Sequence, residues 1–315
     1  MPLILSRADV RPFFDDATQI GDCIEAVARS YADRQYAEMQ AIESLGIPLP
    51  GGSMLGFIAS RSSVSGVSMS IRPRGSPPDT RGLLYFDSTG RLLALISTED
   101  FDQLRVAVPS ALACRHLAPP SPRVLAVIGS GAQGKAHARV LSRALPSIQE
   151  VRIFSPNAEH RREAVKSLSG EPVRMIDAVT PREAINGADV IAACATSDTP
   201  VFDPVWIKPG ALVASIARGQ LPPEIASWER IFTVGRRGGQ RGRDPNAPLH
   251  PAWEAMQPTG DLTQVLAGEV TPREQPDQRV LFMQMALPGV EAALASRVYQ
   301  WAVSHSAGTR ISLSD

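Results

Sequence analysis

The residues Gly129-Ser130-Gly131-Ala132-Gln133-Gly134 have the types and spacing to cradle a pyrophosphate. Gly129 permits a tight turn, Gly131 lets the backbone approach the anion without a Cβ in the way, and Gly134 lets a helix lie close to a strand. The helix N-terminus that follows offers free N–H groups and the positive end of its dipole. A GxGxxG string alone is weak evidence. Here the run Val124-Leu125-Ala126-Val127-Ile128 before it reads as a buried strand, and Ala136 to Leu145 after it is a good helix former. The expected chemistry is the binding of a nicotinamide dinucleotide.

The end of the second strand bears on which dinucleotide. NAD enzymes place a carboxylate there, about 20 residues past the loop, to accept from the ribose 2′-hydroxyl. This sequence reads Phe154-Ser155-Pro156-Asn157, without an acid, followed by His160, Arg161 and Arg162. Ser155, Asn157 and an arginine such as Arg161 suit a 2′-phosphate, so NADP(H) is expected over NAD(H). The alternative is that these arginines face solvent on the next helix. Thr196 and Ser215 close later strands and are expected near the nicotinamide, because doubly wound folds bind ligands at strand carboxyl ends.

The elements that must position these residues are legible as apolar, β-branched runs alternating with helical stretches. The strands are expected over 124–129, 151–155, 173–176, 190–196, 212–217 and 231–234, with helices over 132–145, 159–168 and 180–186. Thr180-Pro181-Arg182-Glu183 combines a capping box with proline in the first helical turn. This is an α/β, Rossmann-type doubly wound parallel sheet. The first 120 residues read as an α+β substrate or dimerisation domain, with a helix over 18–33 and strand-like pieces at 48–52, 54–58, 66–72, 82–86 and from Leu92. Pro119-Pro120-Ser121-Pro122 is a stiff linker into the dinucleotide-binding domain, 121–284. A C-terminal amphipathic helix in 285–315, with Leu294, Val298 and Trp301 on one side, is expected to complete the first domain.

Bulk properties exclude other classes. The 315 residues carry 32 basic and 32 acidic side chains, giving no field to draw the chain onto nucleic acid or an anionic membrane. Neither a signal peptide nor a membrane span is legible, so a cytoplasmic protein is expected. Cys23, Cys114 and Cys194 are widely spaced without a CxxC pair and read as small buried apolar residues, and no metal site is expected. The basic segment 236–243 has no aromatic residue between its arginines to stack bases, which favours a solvated loop.

Taken in order along the chain, several segments resemble the ornithine cyclodeaminase / μ-crystallin family: Leu5-Ser6-Arg7-Ala8-Asp9-Val10, Gly82 to Asp87, Leu104 to Val108, Val127 to Gln133, Ala195-Thr196-Ser197, Trp206 to Gly210, Gly260-Asp261-Leu262 and Val265 to Gly268. The resemblance implies a homodimer, a small N-terminal domain beside a Rossmann domain, and hydride exchange at the carbon–nitrogen bond of an α-amino or α-imino acid. It also implies that Arg105 binds the substrate carboxylate, for which a planar guanidinium is suited.

The departures from the family are specific. Gly66-Val67-Ser68 stands where the family has Gly-Val-Lys, the upstream Pro-Pro-Arg has no counterpart before Pro48, and Ser215-Ile216-Ala217-Arg218-Gly219-Gln220 lacks the cyclodeaminase aspartate. A standard ornithine cyclodeaminase is therefore not expected. Ser68 can give a hydrogen bond but not the acid function of lysine, and Arg72 and Arg218 are candidates for the lost positive charge. The leading expectation is an NADPH-dependent reductase of a small imino or amino acid-like substrate. The alternatives are a catalytically silent NADP(H)-binding protein of the μ-crystallin type and an enzyme remodelled for specialised metabolism, in which Glu43 would meet a cation.

Overall fold

The computed structural model describes residues 1–32, 44–48, 54–62, 66–74, 81–217, 219–234, 250–284 and 289–313. The basic segment 236–243 and Glu43 lie outside them. The chain divides into two compact units, Met1–Val108 with Leu287–Asp315, and Pro109–Ala286.

The first unit holds β1 (Leu3–Leu5), α1 (Arg7–Asp15), α2 (Ala17–Ala32), β2 (Ser44–Pro48), β3 (Met54–Ser62), β4 (Gly66–Arg74), β5 (Gly82–Phe86), β6 (Leu92–Ser97) and the first half of α3 (Phe101–Leu117). Its seven strands run in the order β15-β1-β6-β5-β4-β3-β2, where β15 is Thr309–Arg310. Each pair is antiparallel except β1 with β6. Ser6 and Asp9 form a reciprocal capping box that starts α1. The helix expected over 18–33 is α2, and Ile20, Ile24, Val27 and Tyr31 are all buried along it. One face of the sheet buries Leu3, Leu5, Leu83, Tyr85, Ala94 and Ile96, toward α1 and the C-terminal helix α9 (Val290–Ser304). On the other face, Ile4, Leu95, Leu84 and Met69 are cross-strand partners in an unbroken row over β1, β6, β5 and β4. Ile4 and Leu95 keep 36% and 37% of their surface exposed.

The second unit begins within α3, not at the proline linker. The second half of α3 is fixed there by a hydrogen bond between Ser110 and His137 and by Arg115 Nε donating to the Ala144 carbonyl. Then follow β7 (Val124–Ile128), α4 (Ala132–Ala144), β8 (Glu150–Phe154), α5 (Ala158–Ser167), β9 (Arg174–Ala178), α6 (Pro181–Ile185), β10 (Val190–Ala193), β11 (Leu212–Ser215), β12 (Arg230–Val234), α7 (Pro251–Ala255), β13 (Gly260–Asp261), α8 (Leu262–Leu266) and β14 (Val280–Gln284). All eight strands are parallel, in the order β13-β12-β14-β11-β10-β7-β8-β9. The six expected strands are β7 to β12. The sixth does not pair with the fifth, because β14 lies between β11 and β12. That strand is buried at each position, as a central parallel strand must be. At α6, Thr180 caps the Glu183 N–H, but the Glu183 carboxylate accepts from Val179, one residue before the expected reciprocal partner.

No helix among the described residues is long and apolar enough to cross a membrane. The three cysteines are free and buried, and burial pushes the Cys23 and Cys114 thiols up to about 12.

Candidate functional site

The strand order reverses between β7 and β10, and the glycine-rich turn sits at the carboxyl end of β7, where such a fold opens for a ligand. Gly129 has φ +119°, and a Cβ there would lie 2.8 Å from the carbonyl carbon and oxygen of Cys194 and 3.0 Å from the Ala195 nitrogen. A Cβ on Gly134 would fall 1.8 Å from the Gly129 carbonyl oxygen, so this glycine is what lets α4 close on the turn. Gly131 differs: a Cβ there would meet nothing within 4 Å. Gly131 is also the N-cap of α4, and no side chain among the described residues caps its free N–H groups. Backbone donors around an open space at the positive end of a 13-residue helix fit a phosphate anion. Ser130 is buried in the turn, Ala132 is exposed and Gln133 is half-buried at the helix start.

Sequence reasoning missed the polar side chain behind this turn. His137, one helical turn past Gln133, is buried, with Nδ1 2.8 Å from the Gln133 carbonyl and Nε2 3.1 Å from Ser110 Oγ. A carbonyl only accepts, so Nδ1 carries the proton and Nε2 accepts from the Ser110 hydroxyl. Burial pulls the imidazole down to about 4, against the opposing pull of the Gln133 carbonyl. The neutral ring thus adds no charge beside the turn. The i, i+4 spacing of Gln133 and His137 was visible, but the partner of His137 on α3, Ser110, was not.

Of the residues expected at the nicotinamide, Thr196 is exposed just past β10. Ser215, at the end of β11, is 1% exposed and its hydroxyl is already committed: it donates to the Ala217 carbonyl at 2.7 Å and accepts from Gln220 Nε2 at 3.3 Å. Ser215 therefore shapes its loop, and an expected cofactor contact becomes a structural one. Gly219 fits this loop closely: a Cβ there would sit 3.0 Å from the Ser197 carbonyl oxygen and the Asp198 Cα.

At the end of β8, Ser155 is half-buried and Asn157 is exposed, with Asn157 Oδ1 capping α5 by accepting from the His160 N–H at 3.0 Å. Arg161 is not open to a ligand. It is 5% exposed, pairs through Nε with Asp177 of β9, and donates to the Ser155 carbonyl at 2.8 Å. Its position on the sheet-facing side of α5 explains this, since Ala164, one turn on, is buried too. The cation left accessible is Arg162, whose side chain is 74% exposed and 3.9 Å from Asp177.

In the first unit, Arg105 on α3 is held between two carboxylates, with Nε 3.5 Å from Asp102 and 3.4 Å from Glu291. Glu291, in the first turn of α9, is almost wholly buried. Asp102 also lies 3.8 Å from Arg81, making an alternating row of charge. Ser68 is fully buried in β4, opposite Tyr85, whose ring meets Tyr299 of α9, and its Oγ has no hydrogen-bond partner among the described residues. Arg72 stands in β4 with its side chain outside the described set, and Arg218 lies outside the described residues. Among the described residues no three His, Cys, Asp or Glu side chains gather as a metal site.

Comparison with known proteins agrees with this arrangement. The chain is 28% identical to the NAD(P)H-dependent anabolic L-arginine dehydrogenase DauB of Pseudomonas aeruginosa, over 95% of this chain and 97% of that one. It is 26% identical to a Delta(1)-pyrroline-2-carboxylate reductase of Bacillus cereus, over 71% of each. An archaeal alanine dehydrogenase dimer with bound NAD superposes with a TM-score of 0.83 at 19% identity, over 99% of both chains. The model of the ornithine cyclodeaminase/mu-crystallin family matches residues 74–306, from β4 through the phosphate turn to the C-terminal helix. The chain belongs to that family.

Proposed function

We propose that the protein is an NADPH-dependent oxidoreductase that reduces the C=N bond of a small imino acid. The observation that carries this reading is the open space at Gly131 in front of the uncapped N-terminus of α4. Full-length similarity to an NAD(P)H-dependent arginine dehydrogenase supports it, as does similarity to a pyrroline-2-carboxylate reductase.

When bound, the cofactor supplies a hydride to the imine carbon. Backbone N–H groups of the 129–134 turn would hold its pyrophosphate, and the close approach of Gly129 to Cys194 would keep that turn in place. At the ribose, the absence of an acid at Ser155-Pro156-Asn157 and the exposed Arg162 favour a 2′-phosphate. Arg105, aimed by Asp102 and Glu291, takes the substrate carboxylate. Ser68 has no acid function to offer nitrogen, so the substrate enters as the iminium, bringing its own proton from solution.

The apolar row Ile4–Leu95–Leu84–Met69 supports a homodimer formed through the outer face of the first sheet, and an alanine dehydrogenase of the same fold is a dimer. A second reading, a protein that binds NADPH without turnover, is favoured by Ser68 in the family's lysine position. NADPH oxidation followed at 340 nm with a panel of cyclic and acyclic imino acids separates the two. Turnover with at least one substrate, abolished in Arg105→Met, is expected. Binding of NADPH without oxidation by any member of the panel would establish the second reading.

A further inference from the structure

We infer that Gln220 is a positioning residue for the cofactor: its buried carboxamide locks the peptide against which the phosphate turn packs. Gln220 has no exposed surface. Its Oε1 accepts from the Ala195 N–H at 2.7 Å. Its Nε2 donates to the Ala193 carbonyl at 2.9 Å and lies within reach of Ser215 Oγ at 3.3 Å and the Ala217 carbonyl at 3.4 Å. One side chain thereby ties the carboxyl end of β10 to that of β11. Its own carbonyl accepts from Val201, which fixes the far end of the β10 loop.

The Ala195 N–H belongs to the Cys194–Ala195 peptide, the surface that Gly129 touches at distances no Cβ would allow. If that peptide rotates, either its carbonyl or its N–H swings into the turn. Gln220 prevents the rotation by holding the N–H from behind. The position requires an acceptor and a donor in one side chain at neutral pH, which a carboxamide offers and a carboxylate does not. An ionised glutamate would still accept from Ala195 but would set its second oxygen against the Ala193 and Ala217 carbonyls. A protonated glutamic acid regains one donor.

The inference rests on the proposed function for the identity of the ligand. Its test is NADPH affinity by calorimetry between pH 5.5 and 8 for wild type, Gln220→Met and Gln220→Glu, with each variant divided by wild type at the same pH so that titration of the cofactor cancels. Gln220→Met, matched in length but unable to hydrogen-bond, is expected to weaken binding at least tenfold at every pH. Gln220→Glu is expected to match that loss at pH 8 and to recover at least fivefold at pH 5.5. Wild-type affinity in Gln220→Met, or a Gln220→Glu ratio indifferent to pH, overturns the inference. If Gln220→Glu does not fold, Gln220→Met decides alone. Absence of binding by wild type itself would instead sink the functional reading, and the inference with it.

Discussion

The phosphate turn of the second unit and the charged cluster of the first are built on opposite principles. The turn is made of backbone: three glycines at fixed offsets, each with a different amount of room, and a helix end without a side-chain cap. The cluster is made of side chains, Arg81, Asp102, Arg105 and Glu291, whose charges neutralise one another and whose members come from distant parts of the chain. A backbone site can be read residue by residue because local geometry dictates its glycines. A side-chain site depends on which carboxylate arrives from elsewhere.

The comparison breaks most sharply at the glycines. Gly134→Ala drives a Cβ into the Gly129 carbonyl and is expected to cost about 3 kcal/mol or more. Gly131→Ala is expected to cost less than about 1 kcal/mol of stability, while weakening NADPH binding tenfold or more, because its Cβ points into open space. Denaturant unfolding and calorimetry on the two variants separate these effects. Equal loss of stability in both would mean that the opening at Gly131 is not a ligand site.

The next effect is set by pH. His137 is held neutral, with its folded value down at about 4 against 6.5 for an ordinary imidazole. The unfolded chain binds the proton first, so this stability is complete above pH 6.5 and is lost as pH falls toward 4, on the order of 3 kcal/mol in all. Unfolding free energies measured across that window should fall less steeply in His137→Gln. Parallel slopes would show that the buried imidazole does not set acid stability.

Two neighbouring arginines sharpen the contrast between ligand and scaffold. Arg161→Met strips the partner from Asp177 and is expected to destabilise by about 2 kcal/mol. Arg162→Met should leave stability and NADH affinity alone and lower NADPH affinity about tenfold, or about 1.4 kcal/mol. A Ser68→Ala change carries the smallest effect. Removing a buried hydroxyl that has no partner among the described residues is expected to stabilise the first unit by up to about 1 kcal/mol, read from the denaturant midpoint. Destabilisation would mean that Ser68 has a polar contact after all.

What the sequence made legible follows the same division. Strand and helix runs from 124 to 234 were readable because βα units repeat their apolar pattern. The strand at 280–284 was not, since its neighbours in the sheet, β11 and β12, are remote in the chain. Arg161 looked like a phosphate ligand because its place follows the second strand, and only tertiary packing brings Asp177 to it. Ser215 looked available until Gln220, five residues on, proved to occupy its hydroxyl. Arg105 was identified through family resemblance, whereas its two carboxylate partners emerged only from the fold.

The central claim is that backbone amides around Gly131 hold the pyrophosphate of a nicotinamide dinucleotide. Isothermal titration of the folded full-length protein with NADPH and NADH tests it most directly. Saturable binding of both is predicted, with NADPH the tighter and both weakened together in Gly131→Ala. No measurable affinity for either nucleotide, or unchanged affinity in that variant, would contradict it.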